Sequence, residues 1–248
     1  MMPDLTGLAL AFACLFIGGM LKGATGIGAP ILAVPLMSSL YGVPTGVVLF
    51  SLPNFMSNGL QLWQYRRTPA PPGLLRPFAL AGFVGAGLGT LMLVSLPSDA
   101  LQVVLAVAVF LFIGFRLARP SWALPMRVGR LLAAPLGFAG GVMFGAIGLS
   151  APVSVPFLNA LRLDREVFVV TISAFFFTLA LIQIPMLIIS GIMTPGLAIA
   201  SLLAVVPLWL GMPVGAALSR YVSIRVFDRL TLAILAVIAA RMIYQAMI

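Results

Sequence analysis

Histidine is absent from the 248 residues, cysteine occurs once, and only five residues are acidic. Those shortages remove several chemistries at the outset. A lone Cys14 permits no internal disulfide, and its place in an apolar segment suits packing better than chemistry. The acids Asp4, Asp99, Asp164, Glu166 and Asp228 all lie near loops or ends. The chain therefore offers no buried carboxylate relay, no hard-cation cage and no histidine-rich metal site, and no cofactor is expected. No nucleophile has a base partner, so nothing points to an enzyme. Charge of either sign is scarce as well, at 8% of residues against about 25% in soluble domains.

Apolar residues fill the space, at 62% of the chain with a mean hydropathy of +1.20. The lipid bilayer is the expected solvent, and the length accommodates roughly eight to ten crossings of about 20 residues with no separate soluble domain. The fold class expected is an all-α polytopic membrane protein. A formal net charge of +9 invites a nucleic-acid reading, but the basic residues are scattered between apolar segments without a run long enough for a binding arm. They read as topology signals. The start, Met1-Met2-Pro3-Asp4, has no basic residue before the first apolar stretch and no small-x-small site after it, so no cleaved signal peptide is expected.

Ten apolar segments can be read, near 5–21, 30–40, 45–64, 74–96, 100–117, 131–144, 151–161, 167–190, 195–218 and 226–247. The second and seventh hold about eleven residues each, enough at 1.5 Å per residue for about half of a 30 Å hydrocarbon core. They are expected to be half-helices. Gly19-Met-Leu-Lys-Gly-Ala-Thr-Gly-Ile-Gly-Ala-Pro30 aligns with Gly141-Val-Met-Phe-Gly-Ala-Ile-Gly-Leu-Ser-Ala-Pro152 at an offset of 122, with six identities in twelve positions. Pro35 and Pro156 follow, and Gly85-x-x-x-Gly89 is echoed by Gly211-x-x-x-Gly215. Duplication explains both pairs, giving one repeat over residues 1–119 and a second over 120–248.

Loop charge orients the repeats, because cytoplasmic loops carry the excess of Lys and Arg. The basic loops hold Arg66, Arg67 and Arg76; Arg116, Arg119, Arg127 and Arg130; Arg162 and Arg165; and Arg220, Arg225 and Arg229. Five segments per repeat, counting the short one as the return limb of a broken hairpin, put all of these inside and both termini outside. An odd number also inverts the second repeat, giving eight full spans plus two half-helices in the cytoplasmic membrane. Arg241 alone falls on the wrong side, where it can snorkel to the interface.

Candidate site residues cluster at the repeated glycine motif. Gly23, Gly26 and Gly28 in one copy, and Gly145, Gly148 and Ser150 in the other, are dense enough to unravel a helix. Irregular backbone at membrane depth persists only where it is buried in protein or lines a cavity. Pro30 and Pro152 suit the first turn of a following half-helix, whose amide hydrogens would face the break and favour an anion. Two inverted copies would aim two such termini at one midplane site, with Thr25, Ile27, Leu149 and Ser150 beside them. The same glycines also suit close helix packing, as small-xxx-small contacts. Lys22, the only lysine, costs about 2.5 to 3.5 kcal/mol at a helix centre. It is a counter-charge to an anion, a group that titrates during transport or a snorkelling side chain, and Phe144 holds its place in the second copy. Asn54, Asn58 and Gln61 form a polar stripe that can face a substrate or join helices, and Gln183 matches Gln61. The hydroxyls of Thr25, Ser150 and Ser154 can serve a ligand or their own helix.

With Gly18-Gly19-Met-Leu-Lys-Gly23-Ala-Thr-Gly26-Ile-Gly28 followed by Pro35, and a second copy from Gly140 to Pro156, the chain resembles the sulfite exporter TauE/SafE family of membrane transporters. The likeness extends over the whole chain in length and segment order. It implies transport of sulfite, organosulfonates or related sulfur oxyanions. This chain departs from the family in having Ala29-Pro30 and Ser150-Ala151-Pro152 where members continue with a glycine run. The function expected is secondary transport of a small anion by alternating access, the alternatives being an anion channel, a carboxylate carrier or a non-transporting subunit. Export of an anion gains about 2.3 kcal/mol per charge per 100 mV, whereas uptake would call for a coupling proton or sodium ion. Gly-x-x-x-Gly faces would also permit a homodimer.

Overall fold

Long apolar runs without water to bond their backbone must satisfy it within the segment, and the result is helical throughout. The computed structural model describes residues 5–118, 122–218 and 224–247, with side chains at 10–118, 122–218 and 232–244. The division between repeats at 119–120, with Arg119 and Arg220, lies outside them, as do the side chains of Arg225 and Arg229. Eleven helices occur in the described residues: α1 (Leu5–Thr25), α2 (Ala29–Tyr41), α3 (Val43–Gln64), α4 (Leu75–Ser95), α5 (Ser98–Ala118), α6 (Met126–Ile147), α7 (Ala151–Ala160), α8 (Arg165–Ile189), α9 (Pro195–Leu203), α10 (Val205–Leu218) and α11 (Ile224–Met247). Five stretches among them are long and apolar enough to cross a membrane: Leu75–Ser95, Ser98–Ala118, Met126–Ile147, Arg165–Ile189 and Pro195–Leu218. The protein is a multi-pass membrane protein.

Two expected segments differ in detail. The sixth begins at Met126, earlier than the apolar run suggests, because Arg127 and Arg130 are accommodated in its first turns. The ninth, over 195–218, is two helices that meet at Ala204. The short segments are short: α2 has 13 residues and α7 has 10, about 20 and 15 Å long.

The glycines dictate how helices meet. Gly19 and Gly23 of α1 lie against the carbonyls of Leu208 and Met212 on α10, and Gly211 and Gly215 return the contact at Phe16 and Met20. Gly141 and Gly145 of α6 meet Gly82 and Ala86 on α4, while Gly85 and Gly89 meet Phe138 and Val142. Each pair is a two-sided groove in which backbone approaches backbone, held by dispersion and Cα–H···O contacts. Helix α1 thus packs on α10 and α6 on α4, and these eight glycines meet backbone within the chain.

Among the described residues, the basic loops gather at one end of the bundle. Thr68 Oγ1 donates to Glu166 Oε2 at 3.1 Å, and the Leu124 amide donates to the Ala160 carbonyl at 2.7 Å. Gly73 lies beside the Arg130 side chain, and Arg116, Arg162 and Arg165 surround a single cavity. Trp63, largely exposed, carries the Arg66 guanidinium over its ring at 4.9 Å, a pairing suited to a membrane interface.

Candidate functional site

The glycine motif contains two kinds of glycine. α1 continues through Gly23 and α6 through Gly145; the chain leaves the helix only at Gly26 and Gly148. There the Gly26 amide donates to the Lys22 carbonyl at 2.7 Å and the Gly148 amide to the Phe144 carbonyl at 2.8 Å, with φ of +84° and +70°. A left-handed residue closing a helix in this way is cheap for glycine alone. Gly28 is also left-handed, at φ +127°, whereas its counterpart Ser150 is at φ −108°, a conformation open to any residue. The departure from glycine at Ser150 is thereby explained. Pro30 and Pro152 occupy the first turns of α2 and α7, as expected of residues lacking an amide hydrogen.

Alanine at Gly26 or Gly148 is expected to destabilise the protein by about 1 to 2 kcal/mol, the ordinary cost of a left-handed Cβ. A Cβ at Gly148 would also sit 3.1 Å from Val34 and Val47. Thermal unfolding of the purified variants measures this, and unchanged melting in both would contradict the capping role.

One turn before the first break, Lys22 is 2% exposed and its ammonium donates to Asn58 Oδ1 at 2.7 Å. Asn58 Nδ2 in turn donates to the Asn54 backbone carbonyl at 2.7 Å and to Asn54 Oδ1 at 2.9 Å. The chain of donors ends there: Asn54 Nδ2 is buried without a partner. No carboxylate is buried among the described residues, so the ammonium has no countercharge from one of them. Lys22 does not snorkel.

The positions that correspond to this polar cluster in the second copy of the motif are apolar. At an offset of 122, Lys22, Asn54 and Asn58 become Phe144, Phe176 and Ala180. The rings of Phe144 and Phe176 face each other with centroids 5.9 Å apart. A cationic niche on one side is thus an aromatic contact on the other. Between them Phe55 and Phe177, also 122 apart, stack at 4.5 Å where α3 meets α8.

Gln61 leaves the polar stripe to work elsewhere. Its Nε2 donates to the Gly26 carbonyl at 3.2 Å, and its Oε1 accepts from Ser173 Oγ of α8 at 2.9 Å. Gln183 does the corresponding job at the second break, donating to the Phe144 carbonyl at 3.1 Å. The hydroxyls turn to their own backbone: Thr25 Oγ1 donates to the Leu21 carbonyl at 2.8 Å and lies against the Ile27 carbonyl, while Ser154 Oγ donates to the Ser150 carbonyl at 3.0 Å. Ser150 and Ser154 hydroxyls are 3.1 Å apart, and Leu149 is buried. Thr25, Ile27 and Gly28 line a small cavity of about 60 Å³ with Arg116; Lys22, Asn54 and Asn58 are not in its wall.

Sequence reasoning overlooked Ser173, the partner that ties Gln61 to the other half, and Phe176, the aromatic replacement for Asn54. Mapping every polar residue through the offset of 122 would have found both, since Ser51 and Asn54 land on them.

No curated protein and no solved structure matches the chain. A family model described as Sulfite exporter TauE/SafE matches residues 10–242. Members of that family are membrane transporters rather than enzymes, in keeping with a bundle of apolar helices broken at two glycine turns. A match over nearly the whole length, with the paired breaks at Gly26 and Gly148, establishes that the chain belongs to the sulfite exporter TauE/SafE family.

Proposed function

We propose that this protein moves a small sulfur oxyanion, sulfite or an organosulfonate, across the cytoplasmic membrane by alternating access, with the anion bound near mid-depth beside Lys22. The observation that carries the reading is the ammonium of Lys22, buried with Asn58 as its hydrogen-bond partner, next to an Asn54 amide that has none. Buried charge is retained only where something compensates it. An oxyanion supplies both the missing charge and acceptors for the idle donors of Lys22 and Asn54. The amide-rich first turns of α2 and α7, with Gly23, Gly26, Gly28, Gly145, Gly148, Leu149 and Ser150 shaping the two breaks, complete the site.

Inverted repeats, residues 1–119 and 120–248, are the architecture that goes with this mechanism. Three features support them: helix bounds that recur at the offset of 122, the crossed pairing of α1 with α10 and α6 with α4, and the stacking of equivalent Phe55 and Phe177. The gathering of basic loops at one end supports a cytoplasmic assignment of that end, eight full spans and external termini. A single lysine niche, unmatched in the second half, suits one anion per cycle. Export needs no coupling ion, because the membrane potential already drives an anion outward.

Thermal unfolding of the purified protein across sulfite, thiosulfate, sulfonates, sulfate, carboxylates and chloride tests the substrate class. A ligand at a hundredfold excess over its Kd adds about 2.7 kcal/mol. Stabilisation is expected from one or more sulfur oxyanions and not from chloride; stabilisation by carboxylates alone would reject the sulfur substrate.

A further inference from the structure

Helices α3 and α8 cross antiparallel at the stacked rings of Phe55 and Phe177, and a glutamine and a serine flank the stack on each side. Gln61 lies six residues beyond Phe55 and Ser173 four before Phe177; Gln183 lies six beyond Phe177 and Ser51 four before Phe55. All four side chains are buried. The register that brings Gln61 to Ser173 therefore gives Gln183 and Ser51 the same relation on the opposite side of the stack. The two pairs are nevertheless in different states. Ser173 Oγ donates across to Gln61 Oε1 at 2.9 Å, whereas Ser51 Oγ stays on its own helix and donates to the Val48 carbonyl at 2.8 Å. The glutamine amides differ as well. Gln61 Nε2 meets the carbonyl of the break glycine, Gly26, whereas Gln183 Nε2 meets the Phe144 and Gly145 carbonyls, about one helical turn short of Gly148. Access differs in the same sense: Thr25 and Ile27 are half-buried and line the cavity at the basic end, and their counterparts Ile147 and Leu149 are buried.

We propose that these are the two positions of one exchange: the Gln61–Ser173 bond holds the conformation open at the basic end, and in the conformation open at the opposite end Ser173 releases Gln61 while Ser51 turns from Val48 to Gln183. Ser51 and Ser173 are then positioning residues for transport. Packed helices have discrete arrangements, and one-turn steps of one helix past another are among them. Alternating access by inverted repeats is a rocking of one copy against the other about a fixed site, so each copy takes up in the second state the arrangement that the other held in the first. Neither hydroxyl is stranded by the exchange. The acceptor that Ser51 uses now, a carbonyl three residues back on its own helix, has a counterpart for Ser173 at Val170. Asn58, one turn before Gln61 on α3, accepts from Lys22, so a step of α3 along α1 also moves the partner of the ammonium. The exchange rests on the inverted-repeat transport reading above, and the difference between the two pairs does not.

The test is the rate at which a maleimide modifies a single cysteine introduced by Ile27→Cys or by Leu149→Cys, in the full-length Cys14→Ala protein in nanodiscs, where both faces are open to the reagent. Ser173→Ala is expected to lower the rate at position 27 relative to that at position 149 by about two- to tenfold, the equivalent of one hydrogen bond. Ser51→Ala is expected to raise that ratio by a similar factor, and the double variant to return it to its starting value. A merely structural role does not produce opposite shifts that cancel. Should Ser173→Ala fail to fold, Ser51→Ala decides alone, since in the present conformation it loses only a bond to its own helix. An unchanged ratio in Ser51→Ala, or shifts of one sign in both variants, would overturn the exchange, while measurable labelling at both cysteines would leave alternating access standing. Labelling at position 27 with none at position 149 in any variant would overturn alternating access and the exchange with it.

Discussion

Lys22→Ala is expected to weaken oxyanion binding about 10- to 100-fold, the equivalent of the roughly 1.5 to 3 kcal/mol carried by a hydrogen bond to a charged group, and to reduce flux into proteoliposomes accordingly. Removing the side chain takes away the only cationic donor in the niche, and Phe144 at the corresponding place gives no substitute. The folded protein should survive. Asn58 loses one partner but keeps its two bonds to Asn54, and deletion of a buried ammonium removes a desolvation cost of its own. A decisive pairing is Lys22→Ala with Asn58→Leu, which leaves the ammonium in place without its partner. Flux lost in the first variant and unfolding in the second is the expected pattern. Normal flux in Lys22→Ala would remove Lys22 from the mechanism, whatever the family carries.

Gly23→Val and Gly145→Val are expected to damage the fold itself, by more than the roughly 1 to 3 kcal/mol usual for overpacking. A Cβ at either position runs into main chain, the Met212 carbonyl from α10 in one case and the Ala86 carbonyl from α4 in the other. Side-chain tips can swing aside; a backbone carbonyl in a helix moves only with its helix. Thermal unfolding and the yield of monodisperse protein report the effect. Gly114→Val serves as the control, because nothing lies within 4 Å of a Cβ there. Equal melting of all three proteins would mean that α1 and α10, and α6 and α4, are not in the close contact described.

The contrast between Gly23 and Gly26 marks how far the sequence could be read. Both belong to one motif, and glycine was needed at both, but for different reasons: absence of a side chain at Gly23, a left-handed backbone at Gly26. Letters alone do not separate those needs, so the motif read as a single break and the packing alternative as its rival, when each explains its own subset. The half-helices were legible because Pro30 and Pro152 announce a first turn and the segments are too short to cross. The stripe Asn54, Asn58 and Gln61 was legible only as a stripe. Its division, Asn58 to Lys22, Asn54 to Asn58, and Gln61 to the Gly26 carbonyl and Ser173, depends on which helix faces each side. The cavity lined by Arg116, Arg162 and Arg165 was out of reach, since segments far apart in the chain build it.

The crossed glycine grooves also set a timetable for biosynthesis. Helix α4 is already made when α6 emerges, so that groove can close as soon as its second wall is inserted. Helix α1 has no such neighbour, for Leu208 and Met212 are translated near the end of the chain. Through most of synthesis its bare glycine face must be sheltered by lipid or by the insertion machinery, whereas Lys22 can reach Asn58 as soon as α3 is in place. A fragment ending before α6 would keep α1 and α4 without the surfaces that their glycine faces meet on α10 and α6.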